Sequence, residues 1–262
     1  MRPIDMHISE KFFARNATPT LVTGLVTCLA LSLTACSKST TSTGGDATSQ
    51  KSPSGHTVLI GTNIPEGPAL KGSGKLATAK RTVEQFHAIE LQDRGRVQVT
   101  VGMPLEVTVQ ADDNLIDAID TKVTAGKLTV SVNKDFQTER APYISVSVPE
   151  LSEITVSGAG DILINAVKGD VFNISIPGSG NCSAAGKVIN EKVTLSGSGN
   201  VDCLKLVADN VTVDLSGSGN CTVATEKSMT GKLSGSGKIE YKGNPQSLNK
   251  DVTGSGTITA LQ

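Results

Sequence analysis

Residues 195–221 read LSGSGNVDCLKLVADNVTVDLSGSGNC. The stretch holds the tetrads Ser196-Gly-Ser-Gly199 and Ser216-Gly-Ser-Gly219, each followed by Asn. One such tetrad would signal only a loop. Here it recurs as Ser157-Gly-Ala-Gly160, Pro177-Gly-Ser-Gly180, Ser234-Gly-Ser-Gly237 and Thr253-Gly-Ser-Gly256, at intervals of 20, 19, 20, 18 and 19 residues. Six occurrences at near-constant spacing mark a stacked repeat.

The flanks give the conformation. An apolar residue precedes each tetrad (Val156, Ile176, Leu195, Leu215, Leu233, Val252), and another stands two residues after it (Ile162, Cys182, Val201, Cys221, Ile239, Ile258). Apolar residues and glycines therefore share one parity and Ser and Asn the other, the period of a strand rather than a helix. The glycines on the inward parity are Gly158 and Gly160, Gly178 and Gly180, Gly197 and Gly199, Gly217 and Gly219, Gly235 and Gly237, and Gly254 and Gly256. Glycine at such positions means that the backbone bends or another backbone comes close.

A unit of 18–20 residues is too short for strand–helix–strand, which needs about 30. It suits one coil of an all-β, single-stranded β-helix or solenoid, with two or three short strands and tight corners. Coils stacked at about 4.8 Å bury each other's inner faces. Outward residues then align in files, with Ser179, Ser198, Ser218, Ser236 and Ser255 in one. Asn181, Asn200 and Asn220 form the next, flanked by Asp161 and Lys238. Both files are expected to form side-chain hydrogen-bond ladders between coils. The preceding segment, Thr78–Glu150, is less repetitive but β-rich: Val97, Val99 and Val101 alternate, as do Leu105, Val107 and Val109. Ala125-Gly126 reads as a hairpin turn, and only Asn114–Asp120 looks helical. This segment is expected to supply the first coils or a cap.

The remaining 262-residue composition agrees. Aromatics are 3%, Trp is absent and charged residues are 19%, against both an aromatic core and a helical bundle. A net charge of −1 gives no basic patch for nucleic acid.

The N-terminus carries Arg2, Lys11 and Arg15 ahead of the uncharged run Leu21–Leu33. Thirteen residues are too few to span a bilayer, and a basic start before a short apolar core is the pattern of a secretory signal. The run ends in Leu33-Thr34-Ala35-Cys36, which resembles the bacterial lipobox. The resemblance implies cleavage after Ala35, diacylglycerol on the Cys36 sulfur with a further acyl chain (palmitate) on its new amino group, and stable membrane anchoring through these chains. Ser37 in place of Asp favours the outer membrane in sorting of the enteric type. Residues 37–55, rich in Ser, Thr and Gly, read as a flexible tether. The expected organisation is a lipoprotein signal peptide at 1–35, tether and linker at 36–77, and a solenoid domain at 78–261 with its repeat rows at 151–261.

The residues from about Val83 to Ile258 resemble the auto-transporter adhesin head, or GIN, domain family. The likeness rests on Phe86-His-Ala-Ile-Glu90, the strand Arg96–Val101, Ile144–Pro149, the Ser-Gly-Ser-Gly rows and Ile239-Glu-Tyr-Lys-Gly-Asn-Pro245. It departs at Pro177, which replaces the usual polar residue, and at Asp93-Arg-Gly-Arg96, where the first motif is degraded. The resemblance implies an all-β solenoid on a secreted or lipid-anchored envelope protein, and it assigns no binding residues.

Catalytic chemistry finds little to build on. His87 is the only histidine inside the expected domain and reads as structural. Asp161, Asp202 and Asp214 do not recur at one coil position, as a carboxylate pair on a β-helix glycosidase would require. The Gly-Ser-Gly-Asn rows lack the acidic ligands and the period of calcium-binding repeats. Cys182, Cys203 and Cys221 are expected to be free, buried thiols. The sequence thus points to a non-catalytic binding module without cofactor or metal. Its expected partners are the membrane, through the anchor, and a glycan or envelope-protein ligand. A carbohydrate-active enzyme and a purely structural envelope component are the alternatives.

Overall fold

The computed structural model describes residues 69–261. The signal, the lipobox Leu33–Cys36 and most of the tether lie outside them. Among the described residues there are seventeen strands and one 3-10 turn, Ile116–Ala118, but no α-helix.

The regular part is built from four long strands, β11 (Asp161–Ile176), β12 (Asn181–Leu195), β13 (Asn200–Leu215) and β14 (Asn220–Leu233). They replace the two or three short strands expected per coil. Each leaves a Gly-x-Gly corner, bends once, and runs to the next corner. Parallel pairing persists around the bend, with register shifts at Ile164/Val167, Ser183/Ala185 and Cys203/Val207. Such bulges turn a strand without ending its ladder. At the first bend Ala166 takes a φ of 62° and Gly169 one of 141°. The chain closes with β15 (Lys238–Lys242), β16 (Ser247–Val252) and β17 (Thr257–Ala260), which continue the two arms in parallel. Six corners bound five complete turns.

The core follows the parity read from the sequence. Val156, Ile176, Leu195, Leu215 and Leu233 form one buried file, and Ile162, Cys182, Val201, Cys221 and Ile239 face them from the other arm. At about 25 cal/mol per Å² of buried apolar surface, such files are the main stabilising term.

The row glycines are explained by close approach and not by unusual φ: none of them takes a positive φ. A Cβ placed on Gly217 would fall inside the carbonyl oxygen of Gly197 in the turn before, and a Cβ on Gly197 inside that of Gly178. Corner backbones stack directly on one another, leaving no room for a methyl group. Pro177 alters only local bonding. Ser196 N–H donates to Ile176 O at 3.2 Å and Ser216 N–H to Leu195 O at 3.0 Å, whereas at Pro177 only the next amide, Gly178 N–H, reaches Val156 O at 3.2 Å. The degraded motif is also a corner. It joins β3 (Ala88–Leu91) to β4 (Arg96–Val101), and a Cβ on Gly160 would stand 2.7 Å from Gly95 O.

The N-terminal segment supplies both coils and a cap, in an order the repeat does not suggest. β7 (Lys127–Val132) and β9 (Tyr143–Val148) make one turn, and β10 (Glu153–Val156) with the start of β11 makes another. β3 pairs in parallel with both β7 and β10, and β4 with both β9 and β11. The first turn in sequence is thus held between two later ones. Antiparallel strands close this end: β5 (Glu106–Asp112) lies on β9, β2 (Leu76–Arg81) on β5, and β6 (Ile119–Thr124) on β7. The β6–β7 hairpin turns at Ala125 and Gly126, with φ of 51° and 74°. Positive φ at both central residues is the two-residue turn that matches strand twist. β1 (Leu70–Lys71) pairs with β8 (Phe136–Gln137), so paired backbone starts ahead of the expected boundary at 78.

The other end is open. Leu248 and Val252 stack on Met229 and Leu233 yet stay 44% and 43% exposed. Between them Lys250 stacks on Gly231; its Nζ donates to Ile258 O at 3.2 Å and lies 4.9 Å from the Tyr241 ring centre. A charge on the inward parity of an edge strand opposes further pairing.

Candidate functional site

The post-corner arms form one broad sheet, and its outward side chains fall into rows at right angles to the strands. One row runs from Gln110 and Tyr143 through Arg96 and Asp161 to Asn181, Asn200, Asn220, Lys238 and Thr257. Nine strands at about 4.8 Å give it a length of roughly 40 Å.

The asparagine ladder expected in this row is present. Asn181 Nδ2 donates to Asp161 Oδ1 at 2.8 Å, Asn200 Nδ2 to Asn181 Oδ1 at 2.9 Å and Asn220 Nδ2 to Asn200 Oδ1 at 3.0 Å. Asp161 accepts at one end, and at the other the Lys238 ammonium pairs with Glu240 at 2.6 Å. The Tyr143 hydroxyl donates to Gln98 Oε1 at 2.7 Å, which fixes the ring on this face. Partial burial pushes that phenol's pKa up.

The serine file is a correction. Ser179, Ser198, Ser218 and Ser236 align, but their backbone amides carry the contact, reaching Gly158, Gly178, Gly197 and Gly217 carbonyls at 3.0–3.2 Å. Among the described residues the exposed hydroxyls form no side-chain ladder, the backbone amides already making the contact between turns. A second amide ladder was missed in the sequence. Asn190 Nδ2 donates to Asp170 O at 3.2 Å, Asn210 Nδ2 to Asn190 Oδ1 at 3.0 Å and Ser228 Oγ to Asn210 Oδ1 at 2.8 Å. Its signal was the recurrence of Asn one repeat apart, away from the conspicuous tetrads.

The candidate catalytic residues are not brought together. Asp161 belongs to the ladder. Asp202 accepts from Thr222 Oγ1 and Leu204 N–H, each at 3.2 Å. Asp214 lies on the other arm, paired with Thr194 and Lys232. His87 is exposed, and its carbonyl accepts from Ser152 N–H at 2.9 Å. It borders an open groove of about 640 Å³ that Glu150, Lys168 and Asp170 also line. Among the described residues, no group of three or more His, Cys, Asp or Glu is placed to hold a metal ion.

The interior holds one feature that the sequence did not announce. Glu191 is 2% exposed, in an inward file between Phe172 and Val211. Burial pushes its pKa up to about 8, with the Cys203 thiol beside it acting the other way. Neither carboxyl oxygen has a partner of hydrogen-bonding geometry. Cys182, Cys203 and Cys221 are free and buried as expected. Burial first, then the nearby Glu191 carboxyl, holds all three thiols protonated far above the usual range.

An all-β solenoid with polar outer faces defines the class. The family described as "Putative auto-transporter adhesin, head GIN domain" matches residues 85–245, and the chain belongs to it. Among solved structures, a "putative adhesin" from Bacteroides fragilis is 24% identical, with 74% of this chain and 100% of that one covered and a TM-score of 0.57; it shares the fold. A "putative lipid binding protein" from Parabacteroides distasonis, 20% identical over 74% and 100% of the two chains, has a TM-score of 0.45. A "putative adhesin" from Parabacteroides merdae, 18% identical over 74% and 99%, has one of 0.46. No protein of curated function matches the chain.

Proposed function

We propose that this is a lipid-anchored protein of the cell envelope, placed at the outer membrane, whose solenoid is a non-catalytic binding module acting in adhesion. The observation that carries this reading is the long polar row on the post-corner face, in which amides, hydroxyls and one aromatic ring are interspersed with the single charges Arg96, Asp161 and Lys238. Such a surface suits a ligand recognised by many weak polar contacts, as a glycan or an extended envelope protein would be. Family membership and the lipobox at Leu33–Cys36 support the setting, and the dispersal of Asp161, Asp202 and Asp214 leaves the β-helix enzyme reading without a carboxylate pair. The test is retention on a glycan array and on isolated envelope proteins, comparing the wild type with Asn200→Arg. Retention that the substitution abolishes supports the reading. Retention unchanged by it moves the ligand elsewhere, and no retention on either surface leaves the structural-component alternative.

A further inference from the structure

A carboxyl group buried without a partner is costly to ionise, because desolvation penalises the charge and nothing repays it. Glu191 meets that description at the centre of the regular turns. Its strand neighbours are Phe172 on β11 and Val211 on β13, both fully buried. The ionisable groups that bear on the pocket are the thiols of Cys182 on β12, Cys203 on β13 and Cys221 on β14, with the Asp202 carboxyl acting on two of those thiols. None of these can be a cation, and no lysine or arginine acts on Glu191.

We propose that Glu191 is a proton-dependent lock on the middle turns of the solenoid. Protonated, the carboxyl is a neutral side chain that the turns close over. Ionised, it places a charge where there is no cation and only a weak donor, the Cys203 thiol, and the turns around it loosen.

The sign follows from linkage. In the unfolded chain a glutamate ionises near its ordinary value of 4.5, whereas in the fold it keeps its proton up to about 8. Between those values folding takes up a proton, so stability falls as pH rises across the window. Below the window the stabilisation is complete, and above it the loss is complete and the dependence flattens. This runs opposite to the usual carboxylate, whose paired charge makes a fold sensitive to acid.

The test is denaturant unfolding of the full chain at pH 5, 6, 7 and 8, for the wild type and Glu191→Gln. The difference between the two removes the contributions that wild type and variant share. The wild-type unfolding constant is expected to rise about tenfold per pH unit relative to the variant, which corresponds to one proton. Parallel curves would overturn the proposal. Should Glu191→Gln fail to fold, infrared spectroscopy of the wild type decides. At pH 6.5 a protonated-acid carbonyl band that disappears on alkalinisation supports the lock. A spectrum with only ionised carboxylates at that pH refutes it.

Discussion

Replacing Gly217 by Ala adds one methyl group where the structure has a carbonyl. A Cβ there would overlap Gly197 O, and the carbon behind that oxygen would be 2.9 Å away. Neither atom is the end of a flexible side chain, so the two corners must separate. Overpacking of this kind costs about 1–3 kcal/mol. Separation also weakens the Ser218 N–H bond to Gly197 O, now 3.2 Å, and the Gly217 N–H bond to Leu195 O, now 3.4 Å. At about 1 kcal/mol each, the total is about 3–5 kcal/mol. For a domain of this size, each kcal/mol shifts Tm by about 2–4 °C, so a fall of roughly 6–20 °C is expected. Calorimetry of the purified protein measures it, with the exposed neighbour Ser218→Ala as a control expected to stay within about 0.5 kcal/mol of wild type. If Gly217→Ala melts with the control, the corners are not in contact and the account of the glycine rows is wrong.

Other expectations follow from the structure and, for the N-terminus, from the sequence alone. Asn200→Ala removes one donor and one acceptor from the exposed ladder and should lower stability by about 1–2 kcal/mol, read by urea unfolding; an unchanged midpoint would make the ladder ornamental. A chain starting after Cys36 should show no reactive thiol when native and three in non-reducing denaturant, since Cys182 and Cys221 are two turns apart and a disulfide needs Cα atoms within about 7 Å. Fewer than three would reveal a disulfide. Lys250→Val removes the inward charge at the open end, and sedimentation velocity should then detect concentration-dependent association; a monomer at all concentrations would show that the charge is not what keeps the edge single. Cys36→Ser should give an unprocessed precursor that takes up no labelled palmitate, and equal labelling of both forms would end the lipoprotein reading.

The solenoid was legible because its signal is redundant. Six tetrads, their apolar flanks and the inward glycines all demand the same period and parity, so one irregular row such as Pro177 does not obscure it. The bend was not legible. Nothing in the sequence around Ala166, Ala185 or Leu204 separates a bulged continuous strand from two strands and a corner. The placing of β4 between β9 and β11 was hidden for another reason: alternation of Val97, Val99 and Val101 specifies a strand but not its neighbours. Glu191 was hidden by type. In the inward file of Phe172, Val211 and Met229 it holds an apolar position, but a glutamate in a strand reads as an outward residue until the register is known. The polar face was half legible, since its repeat-derived asparagines were foreseen while Tyr143 and Gln110 join the row only through the cap.

The position of β4 bears on the order in which the protein folds. From β11 onward, each strand finds its partner one repeat away, a short loop to close. Val97 must instead wait for Ile144 and Ile162, and closing longer loops costs more entropy and time. We therefore expect the late turns to assemble first and the β3–β4 turn to dock last, although it is made earlier. A chain that enters the envelope N-terminus first would then carry its early strands with both edges unpaired until the repeats arrive, the interval in which it is most open to aggregation and proteolysis. Pulsed hydrogen exchange during refolding would show this as protection of β12 and β13 amides ahead of those of β4; simultaneous protection would mean that the turns close in one step.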